Sequence, residues 1–599
     1  MKVNHVTILE YKYLFDSHIK NRHAEILILV NDLDFDIAFP IIARLNHVVR
    51  ERSLKNYLDE ITFWFGSKSP LVDIYAQLIA QGYDEKEHSS LRILNIWSNL
   101  TLLQSFLEVY KNSTGSKNQN ININNTHDRL LKAYLLINEE YVANFNSQKV
   151  IASIPNGVGL IMKNGLIMAT MLLPYHDLNH IDAADAMIAQ FIKAVYFLQF
   201  AESNLPKALT DFLASYGVST WQDYMKAIFP IVGHALQNNK EGLGYLTINS
   251  ENPHAETSRK FLSTISIESQ NGDFSQHDFI LPRSKPLMQI NMDKYLVIDN
   301  LLIYNKMYNS LFFEFKKVLI DNPDILGKVD FKGYLNGHFS ESFLASKVLD
   351  AVFENSKYLK FSGEEIRKVH APTFKAEPDY YARNGTDLFM FELKDTLING
   401  TTKQSFNVEL IKSELKSKLW FKSINKKGEI KEEPKAIRQL QNNIRRAAVN
   451  KLPFDSDLEY KFLKVYPVLL YIDQSLSTPG INEILQQWFA EELGHDKELG
   501  KVQDRFDIMP LTMIDLDTLI IFQDDFKNGK LKLEELIPRF WGYKQGLIAI
   551  GLNNINQAIF DSNISFGAFL RLNRKTRNTP KLFTSFGRLL FDKNNQKSD

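Results

Sequence analysis

"EPDYYARNGTDLFMFELKD", residues 377–395, sets two strand-like runs on either side of an Asn-Gly turn in a chain that otherwise reads as largely helical. Both central positions of a type I′ turn need positive φ, so Asn384-Gly385 predicts a two-residue hairpin. With that turn Arg383 faces Thr386, and Asp379 faces Met390. Strand side chains alternate with period two, which puts Asp379, Met390, Glu392 and Lys394 on one face. Asp379 and Glu392 are then diagonal neighbours, roughly 7–8 Å apart at the backbone. A one-residue slip would separate Asp379 from the other two. The competing reading is a surface carboxylate beside an exposed Glu392–Lys394 pair, worth at most ~1 kcal/mol. Against it, "LFMF" directly precedes Glu392 and predicts a strand buried on both faces up to that residue. A charge at such a place is costly unless it is paired or holds a metal.

Outward from the hairpin, "GHFSESFLASKVLDAVFENSKY" (337–358) has the spacing of an amphipathic helix, and "KVHAPTF" (368–374) reads as a first strand. "PKAIRQLQNNIRRAAVN" (434–450) is helical in spacing, with Pro434 at its start, where a missing N–H costs little. "FLKVYPVLLYID" (462–473) is an apolar run suited to a buried strand.

Helix, three strands, helix, strand, with Pro378-Asp379 on the second strand and Glu392-Leu393-Lys394 on the third, resembles the core of the PD-(D/E)XK nuclease superfamily. The likeness covers about residues 333–475. Glu-x-Lys alone says little, since it recurs at Glu10, Glu314, Glu414, Glu429 and Glu459. Only residues 378–394 join both halves of the motif with a hairpin turn. The resemblance implies an α/β (α+β) restriction-endonuclease-like core, a mixed sheet flanked by helices. It implies a metal-dependent nuclease acting on DNA, with Mg²⁺ or Mn²⁺ held by Asp379, Glu392, the Leu393 carbonyl and Glu341, the last from the Gly-x-x-x-Glu at 337–341. Lys394 would orient the attacking water, and Gln439, with Gln441 as a competitor, lies where RecB-like relatives often carry a glutamine. A hard cation prefers such carboxylate oxygens. Composite nucleases of this type are frequent in bacterial restriction and anti-phage systems, and the Asn/Lys/Ile-rich composition fits an AT-rich genome. The alternative is a non-cutting nucleic-acid-binding or scaffold subunit that retains the fold.

The whole chain sets the bounds. At 599 residues it has room for several domains. The expected division is a helical region 1–110, an Asn-rich linker or loop 111–126, a mostly helical region 127–332, the nuclease-like domain 333–480, and a helical region 481–599 with a basic tail. Formal net charge is zero, so nucleic-acid binding by bulk basicity is excluded and local patches must carry it. The candidates are Lys426, Lys427, Arg438, Arg445 and Arg446, then Arg574, Lys575 and Arg577 near the C-terminal end. There is no cysteine, which removes disulfides, thiolate-zinc sites and cysteine nucleophiles. No secretory leader is read in "MKVNHVTILEYKYLFDSHIKNRHAE", and the apolar run 158–174 is broken by Lys163 and Asn164, so a cytoplasmic protein without a membrane partner is expected. A protein partner or a homo-oligomer is expected through the helical regions. His176 and His180 stand at i, i+4 but lack a third zinc ligand in sequence, and no Walker phosphate loop or G-x-S-x-G is present.

Overall fold

The structure is a computed structural model with mixed α/β architecture. It describes residues 7–591 apart from 16–18, 52–53, 85–87, 89, 113–122, 145–146, 179–181, 237–243, 269–276, 323, 325–329, 371–376, 427–428, 450, 457, 459–461, 502–504, 552–553 and 575–577. The chain forms two compact units, Met1–Asn146 with Leu178–Gln190 and Leu209–Phe315, and Ser147–Asp177 with Phe191–Ala208 and Lys316–Asp599. This division differs from the expected one. The region 127–332 is shared between the units, and no boundary falls at 480. Most of the Asn-rich tract, 113–122, lies outside the described residues; Asn112 ends one helix and Ile123 begins the next. Among the described residues no helix is long and apolar enough to cross a membrane. The run at 158–174 is a single helix, Leu160–Leu172.

The first unit is mainly helical. Its four-stranded sheet runs Tyr245–Thr247, Lys294–Val297, Leu287–Asn291, Ser266–Ile267.

The second unit holds the six-stranded sheet. A π-helix (Leu335–Ala345) leads into α1 (Ser346–Val352), β1 (Leu359–Ser362), α2 (Gly363–His370), β2 (Tyr380–Asn384) and β3 (Asp387–Lys394). Then come α3 (Val408–Leu419), an antiparallel ribbon of β4 (Phe421–Lys426) and β5 (Glu429–Pro434), and α4 (Ala436–Ala448). The sheet closes with β6 (Leu463–Tyr471), β7 (Phe506–Ile508) and β8 (Thr512–Asp515). Strand order is β7-β6-β3-β2-β1, with β8 also on β6. β1, β2 and β3 are antiparallel, whereas β6 runs parallel to β3, β7 and β8. The region after 480 therefore supplies two strands of the same sheet.

Local chemistry explains where the elements fall. "KVHAPTF" does not form the first strand: Lys368–His370 end α2, and 371–376 lie outside the described residues. β1 lies earlier because Ser362 and Glu365 form a capping box that starts α2. Ser362 N–H donates to Glu365 Oε2 at 2.7 Å and Glu365 N–H to Ser362 Oγ at 3.2 Å. Pro434 ends β5 rather than opening α4, whose N-cap is Lys435. Pro467 sits inside β6 without breaking it. Val465 O accepts from Met509 N, so by alternation Pro467 faces that same edge, in the gap between β7 and β8 where no donor is needed. Ile437, Leu440, Ile444 and Ala447 form the apolar stripe of α4, which packs with Leu388, Met390 and Leu469 of the sheet. Phe389 and Phe391 point the other way, to Phe353 and Tyr466.

Candidate metal centre

The hairpin register differs from the expected one by two residues. Asn384 pairs with Asp387 and Tyr380 with Phe391, so Gly385 and Thr386 make the turn. Gly385 takes φ of +60° in the first central position, where a II′ turn places glycine, and Asn384 stays in the strand. Extending this register by one residue sets Asp379 directly across from Glu392. An even shift keeps every side chain on its face, so the grouping of Asp379, Glu392 and Lys394 persists.

Asp379 N–H donates to Phe391 O at 3.1 Å, and Asp379 Oδ2 accepts from Leu393 N–H at 2.7 Å. Behind it, Gly363 N–H donates to Asp379 O at 2.8 Å. A Cβ at position 363 would lie 2.9 Å from Pro378 O, so only glycine lets α2 approach this closely. Glu392 is 1% exposed. Lys394 Nζ donates to its Oε2 at 3.4 Å, and Asn443 Nδ2 donates to its Oε1 at 3.3 Å.

Glu341 reaches the same place from the π-helix. Phe197 and Phe200 pack on Phe339 of that helix. Asn336 Nδ2 donates to Asp395 O at 3.0 Å and Ser340 Oγ to Asp395 Oδ2 at 2.5 Å, which ties the helix to the end of β3. π-helical geometry is rare and is often found at functional sites. Burial first, then the charge of Asp379, pushes Glu341 up to about 7, against Lys394 and Arg367. Burial, then Asp379 and Glu341, raises Glu392 well above the usual carboxylate range despite Lys394. Burial opposes the charge on Lys394, but Glu392, Asp379 and Glu341 outweigh it and hold the ammonium above the ordinary lysine range. Three carboxylates thus share one electrostatic environment with a single ammonium between them. Among the described residues, no three His, Asp or Glu side chains stand close enough to hold an ion as they are. The donor set is all oxygen, which suits a hard divalent cation.

Gln439 lies one helical turn before Asn443 on the same face of α4, and its buried Oε1 has no hydrogen-bond partner. Asn443, which sequence reading missed, makes the contact to Glu392. A signal was present: Asn443 interrupts the apolar stripe of α4, and a buried amide there requires a partner.

The basic candidates fare differently. Arg438 is held by Glu432 at 2.6 Å and Glu492 at 2.7 Å, over the Phe421 ring, so it is committed to fixing the ribbon base. In backbone register Lys422 lies opposite Glu433 and Lys426 opposite Glu429; the Glu433 carboxylate bonds Lys435 at 3.0 Å and that of Glu429 bonds Lys431 at 3.3 Å, and Lys427 lies outside the described residues. Arg445 is exposed and donates to Asn442 Oδ1 at 2.7 Å, while Arg446 is partly buried and donates to Asn443. Arg574 donates to Asn578 O and lies over Phe522; Lys575 and Arg577 lie outside the described residues. His176 Nε2 contacts Ser477 Oγ at 2.9 Å, and His180 lies outside the described residues. No family model matches the chain, and neither a curated protein nor a solved structure does.

Proposed function

We propose that the protein is a metal-dependent nuclease of the PD-(D/E)XK type, hydrolysing phosphodiester bonds in DNA, with a restriction-endonuclease-like core in its second unit. One observation carries the reading. Asp379, just before β2, bonds Phe391 O through its N–H and by extension of the register stands across from Glu392 on β3, with Lys394 bonded to Glu392. The order π-helix and α1, three antiparallel strands, α4, then a parallel strand agrees with that core and supports it.

Asp379, Glu392 and the Leu393 carbonyl are the residues that would hold Mg²⁺ or Mn²⁺, with Glu341 beside them. Such a cation supplies Lewis acidity toward a phosphate oxygen and lowers the pKa of water. Lys394 keeps its proton in this acidic setting, so it acts as a fixed positive charge that orients water and stabilises charge developing on the phosphate. Gln439 brings its buried Oε1 to the same helix face. The test is cleavage of plasmid, linear DNA and RNA with Mg²⁺ or Mn²⁺. Metal-dependent cleavage that is lost in Asp379→Ala supports the reading. Cleavage undiminished in that variant moves the site elsewhere, and binding without cleavage in the wild type makes the chain a non-cutting subunit.

A further inference from the structure

Asn443 is 1% exposed on the apolar stripe of α4, where an amide is expensive unless both of its ends are bonded. Both are. Nδ2 donates to Glu392 Oε1 at 3.3 Å, and Oδ1 accepts from Arg446 Nη1 at 3.1 Å. A guanidinium can only donate, so Arg446 fixes which end of the amide faces Glu392. A flipped amide would set Oδ1 against a carboxylate oxygen and its NH₂ against a cation. Lys394 occupies the other oxygen, Oε2, at 3.4 Å. One donor on each oxygen fixes the plane of the carboxylate. Arg446 also feels the charge of Glu377, which bonds Arg367 at 3.1 Å and stands two residues before Asp379.

We infer that Asn443, oriented by Arg446, is the positioning residue that presents the Glu392 carboxylate to a divalent cation. The inference rests on the metal-site reading above. Partners of this kind usually change metal affinity by about ten- to a hundredfold when removed. The experiment uses the full chain and titrates Mn²⁺ calorimetrically into wild type, Asn443→Leu, Arg446→Met, Arg446→Lys and Ile444→Val. Asn443→Leu fits the apolar stripe by size and should fold. Its Mn²⁺ Kd should rise about ten- to a hundredfold. Arg446→Met should follow in the same direction, and Arg446→Lys, which keeps a donor, should recover part of the loss. Ile444→Val disturbs the same packing without touching Glu392 and should bind Mn²⁺ as wild type does. A purely structural role would make Ile444→Val and Asn443→Leu behave alike, and that result overturns the inference. So does wild-type affinity in a folded Asn443→Leu. If wild type binds no Mn²⁺, the metal reading fails on its own. Positioning is then judged from crystal structures of wild type and Asn443→Leu, where a Glu392 carboxylate that keeps its plane overturns it and a rotated one supports it.

Discussion

Two buried glutamates, one in each unit, look alike by burial and differ in everything around them. Glu60, on the Tyr57–Phe65 helix, is 5% exposed, and Glu392 is 1% exposed. Burial raises the proton affinity of both. Glu60 Oε2 accepts from Ile93 N–H at 2.6 Å and Leu94 N–H at 3.3 Å. It satisfies backbone donors that would otherwise be orphaned. Glu392 receives one ammonium and one amide, and it sits in the field of two further carboxylates. A buried acid answered by backbone N–H groups is a staple of the fold. One placed among like charges is where we propose a cation.

The sharpest way to break this contrast is to delete each carboxylate. Glu392→Ala should drop metal-dependent cleavage to the background without unfolding the protein, because it relieves repulsion among the acids. Glu60→Ala should leave the rate per folded molecule unchanged while costing roughly 2–5 kcal/mol in urea unfolding, since two buried N–H groups lose their acceptor. Cleavage that survives Glu392→Ala removes the distinction altogether. Next in size, Lys394→Ala should slow cleavage on the order of 10²–10³ while Mn²⁺ binding persists. Lys394→Arg should not restore the rate, because the guanidinium is longer, planar and differently hydrated.

The same contrast separates what the sequence made legible from what it did not. Period-two alternation brought Asp379, Glu392 and Lys394 onto one face, and this tolerated a register error of two because parity was preserved. The turn falls one residue later than Asn-Gly predicts, because the pair predicts positive φ at both residues and only Gly385 adopts it. The early position of β1 is legible in Ser362-x-x-Glu365, a capping box that competes with the β-propensity of 368–374. The charge balance of the ribbon emerges only from pairing, which sets Glu429 and Glu433 against the lysines. The π-helix has no periodicity of its own in the sequence, and the two strands after 500 are too short to signal themselves. Glu60 gave no hint either, since its partners are backbone groups more than thirty residues away.

A smaller effect sharpens the comparison through pH. Burial pushes Glu60 from its ordinary 4.5 to about 7, with the Ile93 and Leu94 N–H groups opposing. The folded state therefore binds its proton more tightly than the unfolded state does. The stabilising contribution is complete below about 4.5 and is lost as pH rises through about 7. The loss is at most about 3 kcal/mol. Glu60→Gln carries no titration, so its stability relative to wild type should rise between pH 5 and pH 8 in thermal melts. A pH-independent difference would mean that the two N–H bonds, rather than burial, govern this carboxylate.

The smallest effect concerns which cations would meet DNA under the proposed function, and it compares the ribbon with α4. Arg445 is exposed on α4, two residues from Asn443, and its nearest carboxylate, Asp496, is 3.9 Å away. Lys422 is exposed on the ribbon, opposite Glu433 in backbone register, and the Glu433 carboxylate bonds Lys435 at 3.0 Å. Removing a cation that touches one phosphate should lower the salt slope of DNA binding by roughly one unit. Arg445→Glu should show about that change with Ca²⁺ replacing Mg²⁺ to suppress cleavage. Lys422→Glu should show less, because the ribbon around it carries Glu429, Glu432 and Glu433. Equal or larger flattening in Lys422→Glu would move the nucleic-acid surface from α4 to the ribbon, and the ribbon would then act as an arm along the backbone of the substrate.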